Sequence, residues 1–241
     1  MEEVSFRALP ALETRVYDGW VLRMANGYTR RANSVNPVYG SSLDVREKIA
    51  LCEAIYNESE TRLVFKMTDA VHPADLDATL NAHGFIKEAP TSVQTLDLAE
   101  YDPQLNAEVF VDDALSKAWL ADFARLNAVA DHHVSTLRQI LERIEPKTCY
   151  AALKSDSETV AVGLGVIDGD FMGLFDIVTD INHRRRGYGR AIMDALLHHG
   201  KANGATTAYL QAMTTNDPAL SLYEGMGFRE AYQYWYRVKP A

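Results

Sequence analysis

The spacing of apolar and polar positions resolves the chain into two successive runs of short strands and helices. Residues 19–35 read as two strands joined at Ala25-Asn26-Gly27, because Asn-Gly between hydrophobic runs is a strong hairpin signal. Val45, Ile49, Cys52 and Tyr56 recur at helical spacing behind Ser41-Ser-Leu-Asp44, which has the look of a capping box. Residues 63–67 read as a strand. The stretch 73–85 reads as a helix with proline at its entry and glycine at its exit, and 93–98 as another strand. The polar, proline-bearing Tyr101-Asp-Pro-Gln104 marks a junction, so two domains are expected, 1–103 and 104–241.

Beyond the junction, 114–127 and 135–144 read as helices, the second opening on Ser135. Residues 148–153, 159–167 and 171–179 are rich in β-branched and aromatic side chains, and Asp168-Gly169-Asp170 turns between the last two, which predicts an antiparallel meander. Ile192, Ala195, Leu196 and His199 then follow one helical face up to Gly204. A strand over 206–213, a helix from Asp217-Pro218 to the Gly-Phe at 227–228, and an aromatic strand over 232–238 complete the pattern. The fold class is α/β (α+β), with a mixed, mostly antiparallel sheet flanked by helices.

Composition narrows the function. With 241 residues, 47% hydrophobic and 24% charged, the chain has material for a real core. No apolar run approaches bilayer-spanning length, and the acidic Met-Glu-Glu-Val-Ser start is unlike an export signal, so a cytoplasmic protein with no membrane partner is expected. Cys52 and Cys149 have no CxxC companion and read as reduced core residues. The adjacent pairs His132-His133 and His198-His199 do not share a helix face, so no metal is expected. A net charge of −9 argues against nucleic acid as a partner. Against that background Arg184, Arg185, Arg186 and Arg190 form a local basic patch, which suits a small polyanion better than a polymer.

Those arginines lie in Asp180-Ile-Asn-His-Arg-Arg-Arg-Gly-Tyr-Gly-Arg-Ala-Ile192, between a predicted strand and a predicted helix. Glycine lets the backbone approach a ligand, and the first helical turn offers N–H groups with no intrahelical partner. Together with the guanidinium charge these make a phosphate cradle; the plain alternative is a solvated run of arginines. The third glycine of a dinucleotide fingerprint is missing, and no Lys-Ser/Thr follows to make a nucleotide P-loop.

Two motifs give the C-terminal part, about 106–241, a resemblance to the GNAT superfamily of N-acetyltransferases. One is Arg184-x-x-Gly187-x-Gly189; the other is Asn216 followed by Leu222-Tyr223 and Gly227-Phe228. The resemblance implies acetyl-CoA as co-substrate. Its pyrophosphate would lie on Arg184, Arg185, Arg186, Gly187, Tyr188, Gly189 and Arg190, and its pantetheine arm along Ile177, Val178 and Thr179, with the amide near Ile177 as oxyanion donor. Asn216 would contact the cofactor or fix splayed strands, or simply start a helix. Tyr223 would be the general acid, against the plain reading of a packed core tyrosine. The general base is unassigned: the positions that often carry it correspond to Gly173 and Phe175, and Asp176 points to the opposite face if strand alternation holds. Tyr209, Gln211 or a water chain are the remaining choices.

The implied activity is acetyl transfer to a primary amine of a small molecule or peptide; the alternative is a non-catalytic acyl-CoA sensor. Residues 65–85 also echo 211–228: Phe-Lys-Met-Thr against Gln-Ala-Met-Thr, each followed by a helix ending in Gly-Phe. The N-terminal half therefore looks like a truncated, degenerate GNAT copy, unless the likeness of two strand-helix-strand units is coincidental. If that half closes the acceptor site, Trp20, Arg23, Arg30 and Arg31 are its contact residues.

Overall fold

The computed structural model describes residues 1–240. Its N-terminal half runs α1 (Glu2–Ala8), β1 (Glu13–Tyr17), β2 (Trp20–Met24), β3 (Ser34–Asn36), α2 (Val45–Glu58), β4 (Val64–Thr68), α3 (Leu76–Ala82) and β5 (Ile86–Asp97). There follow β6 (Val109–Asp112), α4 (Lys117–Leu126), α5 (Asp131–Glu142), β7 (Lys147–Ser155), β8 (Glu158–Asp168), β9 (Phe171–Thr179), α6 (Tyr188–Ala202), β10 (Thr207–Met213), α7 (Asp217–Gly225) and β11 (Arg229–Val238). The strands form one mixed sheet in the order β1-β2-β3-β4-β11-β5-β10-β9-β8-β7-β6. All its neighbours are antiparallel except β3·β4 and β9·β10.

The two halves exchange their last strands. β5, which ends the first half, lies between β10 and β11, and β11, which ends the second, lies between β4 and β5. The hydrogen bonds of one continuous sheet therefore join residues on both sides of the junction expected at 103. Arg237 adds a side-chain tie at the same seam: its guanidinium donates to both carboxylate oxygens of Asp77 (2.9 and 2.7 Å), to Asn81 (2.8 Å) and to the Phe85 carbonyl.

β8 is buried from Thr159 to Val166, because α6 covers one face and α4 with α5 the other. Close packing depends on small residues. A Cβ on Gly163 would fall 2.6 Å from both Ile177 Cδ1 and Ile192 Cγ2, so glycine here lets α6 and β9 close onto the strand. Ile192, Met193, Leu196 and Leu197 fill one side of this layer, and Trp119, Phe123, Leu137 and Leu141 the other.

The pattern-based elements differ from the structure in three places. The hairpin turns at Asp18-Gly19, both at positive φ, and pairs β1 with β2. Asn26-Gly27 is also a turn, but it opens a loop instead of a second strand. The Asn33 side chain closes that loop, accepting from the N–H groups of Ala25 (2.7 Å) and Gly27 (3.0 Å) and donating to the Thr29 carbonyl (2.8 Å). Local side-chain bonds thus replace a strand ladder. Helix α5 starts at Asp131, ahead of Ser135, with an acidic first turn and no side-chain cap. Finally, α1, β1 and β6 gave no signal in the pattern; β1 is largely exposed, so it carries no alternation to read.

Candidate functional site

Strands β9 and β10 begin as a parallel pair, from Thr207↔Phe171 to Leu210↔Leu174, and then part. Beyond Leu174, β9 keeps β8 as its partner while β10 keeps β5. The parting leaves the backbone of residues 175–179 without a strand on that side, an edge able to bond an extended ligand as an added strand would. A cavity of about 710 Å³ fills the gap.

At the same point β9 carries a bulge. Leu164 faces Phe175 and Val162 faces Val178, so Asp176 and Ile177 together oppose the single residue Gly163. Asp176 is the inserted residue, at φ 53°. Phe175 stays on the α4 face against Tyr209, while Ile177 packs toward α6. The bulge breaks the alternation that would have sent Asp176 to the far face, and Asp176 lines the cavity instead. The expectation that strand alternation points Asp176 to the opposite face is corrected on this ground. Burial pushes its carboxyl up to about 6, with Arg31 acting the other way.

Tyr223, on α7, and Asn216 line the same cavity. Burial raises the Tyr223 phenol above its ordinary value, opposed by Arg31, so it is protonated at neutral pH. Asn216 starts α7, its side-chain oxygen accepting from the Ala219 N–H (3.4 Å). Gln211 also faces the cavity, but its amide is engaged, donating to Ser5 Oγ (2.6 Å) and accepting from the Tyr234 hydroxyl (3.1 Å). The Tyr209 hydroxyl is fully buried without a partner, and burial raises its pKa. Neither suits a base.

From the cavity, β9 leads through Val178 and Thr179 to the arginine loop. Arg184 donates toward the Thr179 carbonyl, and Arg184, Arg185 and Arg186 are exposed. Gly187 sits at φ 81°, a conformation costly for any other residue, and starts α6 with no side-chain cap. The N–H groups of Tyr188, Gly189 and Arg190 form the first turn, where an α-helix has no carbonyl to offer them. The Arg190 side chain turns along the helix to Asp194 (3.5 Å).

The opposite wall comes from the N-terminal half and from β11: Tyr28, Thr29, Arg30 and Arg31 of the loop closed by Asn33, with Tyr234 and Tyr236. Of the four N-terminal contact residues expected from sequence, Arg30 and Arg31 are there. Trp20 is not; it is buried among Phe65 and the other core side chains under α2. Arg23 is also buried, donating to the carbonyls of Arg31, Leu9 and Phe6, so it holds the loop and faces away from the cavity.

A parted parallel strand pair, a bulge at the parting and an uncapped, arginine-flanked helix start together define an acetyltransferase of the GNAT class. Residues 1–237 match the family model described as "Probable histone acetyltransferase Rv0428c C-terminal", and the chain belongs to that family. It is 28% identical to the "Uncharacterized N-acetyltransferase YobR" of Bacillus subtilis over 99% of this chain and 97% of that one. It is 33% identical to the [ribosomal protein bS18]-alanine N-acetyltransferase of Salmonella typhimurium over 33% of this chain and 53% of that one. Among solved structures, the GCN5-related N-acetyltransferase from Kribbella flavida superposes with a TM-score of 0.72 at 15% identity, covering 100% of this chain and 95% of that one. Among the described residues no helix is long and apolar enough to cross a membrane.

Proposed function

We propose that the chain transfers an acetyl group from acetyl-CoA to a primary amine of a small molecule or peptide by direct attack. The observation that carries this reading is the single cavity shared by Asp176, Tyr223 and the unpaired edge of β9. Arg184, Arg185 and Arg186, with the backbone from Gly187 to Arg190, hold the donor's pyrophosphate, and Asn216 helps keep the strands parted. Residues 177–179 receive the pantetheine arm, and the Ile177 amide steadies the oxyanion. Asp176 takes a proton from the amine as its nitrogen bonds to the thioester carbon. As the carbon–sulfur bond breaks, Tyr223 gives its proton to the departing thiolate, leaving an amide and free CoA. The N-terminal half is a degenerate copy of the same unit: β3-α2-β4-α3-β5 and β9-α6-β10-α7-β11 share element order and a parallel first strand pair.

The test is thiol release from acetyl-CoA across an amine panel. Wild type should show amine-dependent turnover, and Tyr223→Phe should lower kcat about 10–1,000-fold with little change in donor KM. Donor binding with no amine-dependent turnover would favour the sensor alternative.

A further inference from the structure

Arg31 enters the cavity from the side opposite the donor track. Its backbone is clamped: the carbonyl accepts from buried Arg23, whose guanidinium also stacks over Phe6 at 4.6 Å. Its neighbour Arg30 is already neutralised by Glu88 (2.5 Å). Arg31 has no such partner, since none of the ion pairs among the described residues involves it, and Asp176 acts on it only through space. The polar groups around Arg31 are the Tyr234 and Tyr236 phenols. Asp176 likewise makes no ion pair, so the cavity presents one cation and one anion to the same space.

Burial is outweighed by Tyr234 and Tyr236, with Asp176 through space, which keep Arg31 charged, yet no carboxylate of the described residues contacts its guanidinium, so the fork is left to bond a ligand. The donor's phosphates have their own cradle beyond Thr179. With Asp176 assigned to the amine, a carboxylate on the acceptor is the group that fits the free fork of Arg31, set beside the amine that Asp176 deprotonates. We propose that Arg31 anchors the carboxylate of the acceptor, and that the acceptor is a free amino acid or a small amino-acid derivative whose carboxylate lies next to its amine. The planar fork of arginine bonds a carboxylate through two parallel N–H groups, with tyrosine hydroxyls alongside. This deepens the acetyltransferase reading and rests on it. A protein N-terminus, whose α-carboxyl is tied up in a peptide bond, leaves Arg31 unmatched.

The test compares each of the twenty amino acids with its own carboxamide as acceptor for the full-length protein, reading CoA release. The acid should be preferred by about 10–100-fold in kcat/KM for the best acceptors. Arg31→Gln should bring that ratio near one, and Arg31→Lys should restore part of it. Equal use of acid and amide, a ratio unmoved in Arg31→Gln, or better use of peptides than of free amino acids would overturn the proposal. If no amine of any kind is acetylated, the transferase reading fails separately. Calorimetric binding of N-acetyl amino acids against N-acetyl amino amides, with CoA present, then decides the anchor alone: preference for the acid that is lost in Arg31→Gln supports it, and equal binding overturns it.

Discussion

Replacing Asp176 by asparagine separates the chemistry of the bulge from its architecture. The carboxyl is lifted from 3.8 to about 6 by burial, which corresponds to ~3 kcal/mol spent on holding the charge when fully ionised. Because the group borders a cavity, water screens part of that, leaving ~1–2 kcal/mol. The sign follows from linkage. Below the unfolded value near 4 the group is protonated in both states and the penalty is absent; it grows as pH rises through about 6 and is complete above it. Asparagine never carries the charge, so urea unfolding should find Asp176→Asn no more stable than wild type near pH 4 and ~1–2 kcal/mol more stable near pH 8. Activity should move the other way. Wild-type kcat/KM should rise with pH through about 6, and the variant should lose about 100–10,000-fold near pH 8. A stability gap that is the same at both pH values, or a kcat/KM within about threefold of wild type, would refute the assignment of a displaced carboxylate acting as base.

Three further outcomes are expected. Gly187→Ala forces a side chain to φ 81°, costing ~1 kcal/mol, and should raise the KM for acetyl-CoA far more than it lowers kcat. A fragment of residues 104–241 lacks β5, leaving facing edges of β10 and β11 open, so it should show no cooperative unfolding by circular dichroism; a soluble, cooperatively unfolding fragment would contradict the exchange of strands. Arg237→Ala leaves Asp77 without its bidentate partner at the seam and should cost about 3 kcal/mol in urea denaturation, with Asp77→Ala costing a similar amount because the buried guanidinium is stranded.

The central elements of the C-terminal half were legible because each carries its own signal: turn residues around β8 and β9, helical periodicity in α6, and glycine at positive φ before and after it. The uncapped, arginine-flanked start of α6 was legible for the same reason, being one contiguous stretch of chain. Asp176 was not. Its placement depends on a bulge that shifts strand phase by one residue, and the hint lay in another strand, at Gly163, whose missing side chain admits Ile177 and Ile192. The cavity wall opposite β9 was half legible. Arg30 and Arg31 were singled out as basic residues near a turn, but Trp20 and Arg23 were grouped with them on a hairpin that does not form. Tyr28, Tyr234 and Tyr236 reach the cavity only through the sheet, which brings a loop near residue 30 beside a strand near residue 235. No local pattern encodes that meeting.

The placement of β11 sets the order in which this protein can be made. During synthesis the first hundred residues emerge with β4 lacking its neighbour, and that neighbour follows β10 and α7 in the chain: Val64 pairs with Val238. Neither half can be finished before β11 has left the ribosome. A chain cut before Arg229 would lose the strand that completes the first-made part of the molecule, along with Tyr234 and Tyr236 from the wall of the cavity. The same arrangement ties inheritance of the two halves together, since losing or replacing either one opens an edge in the other.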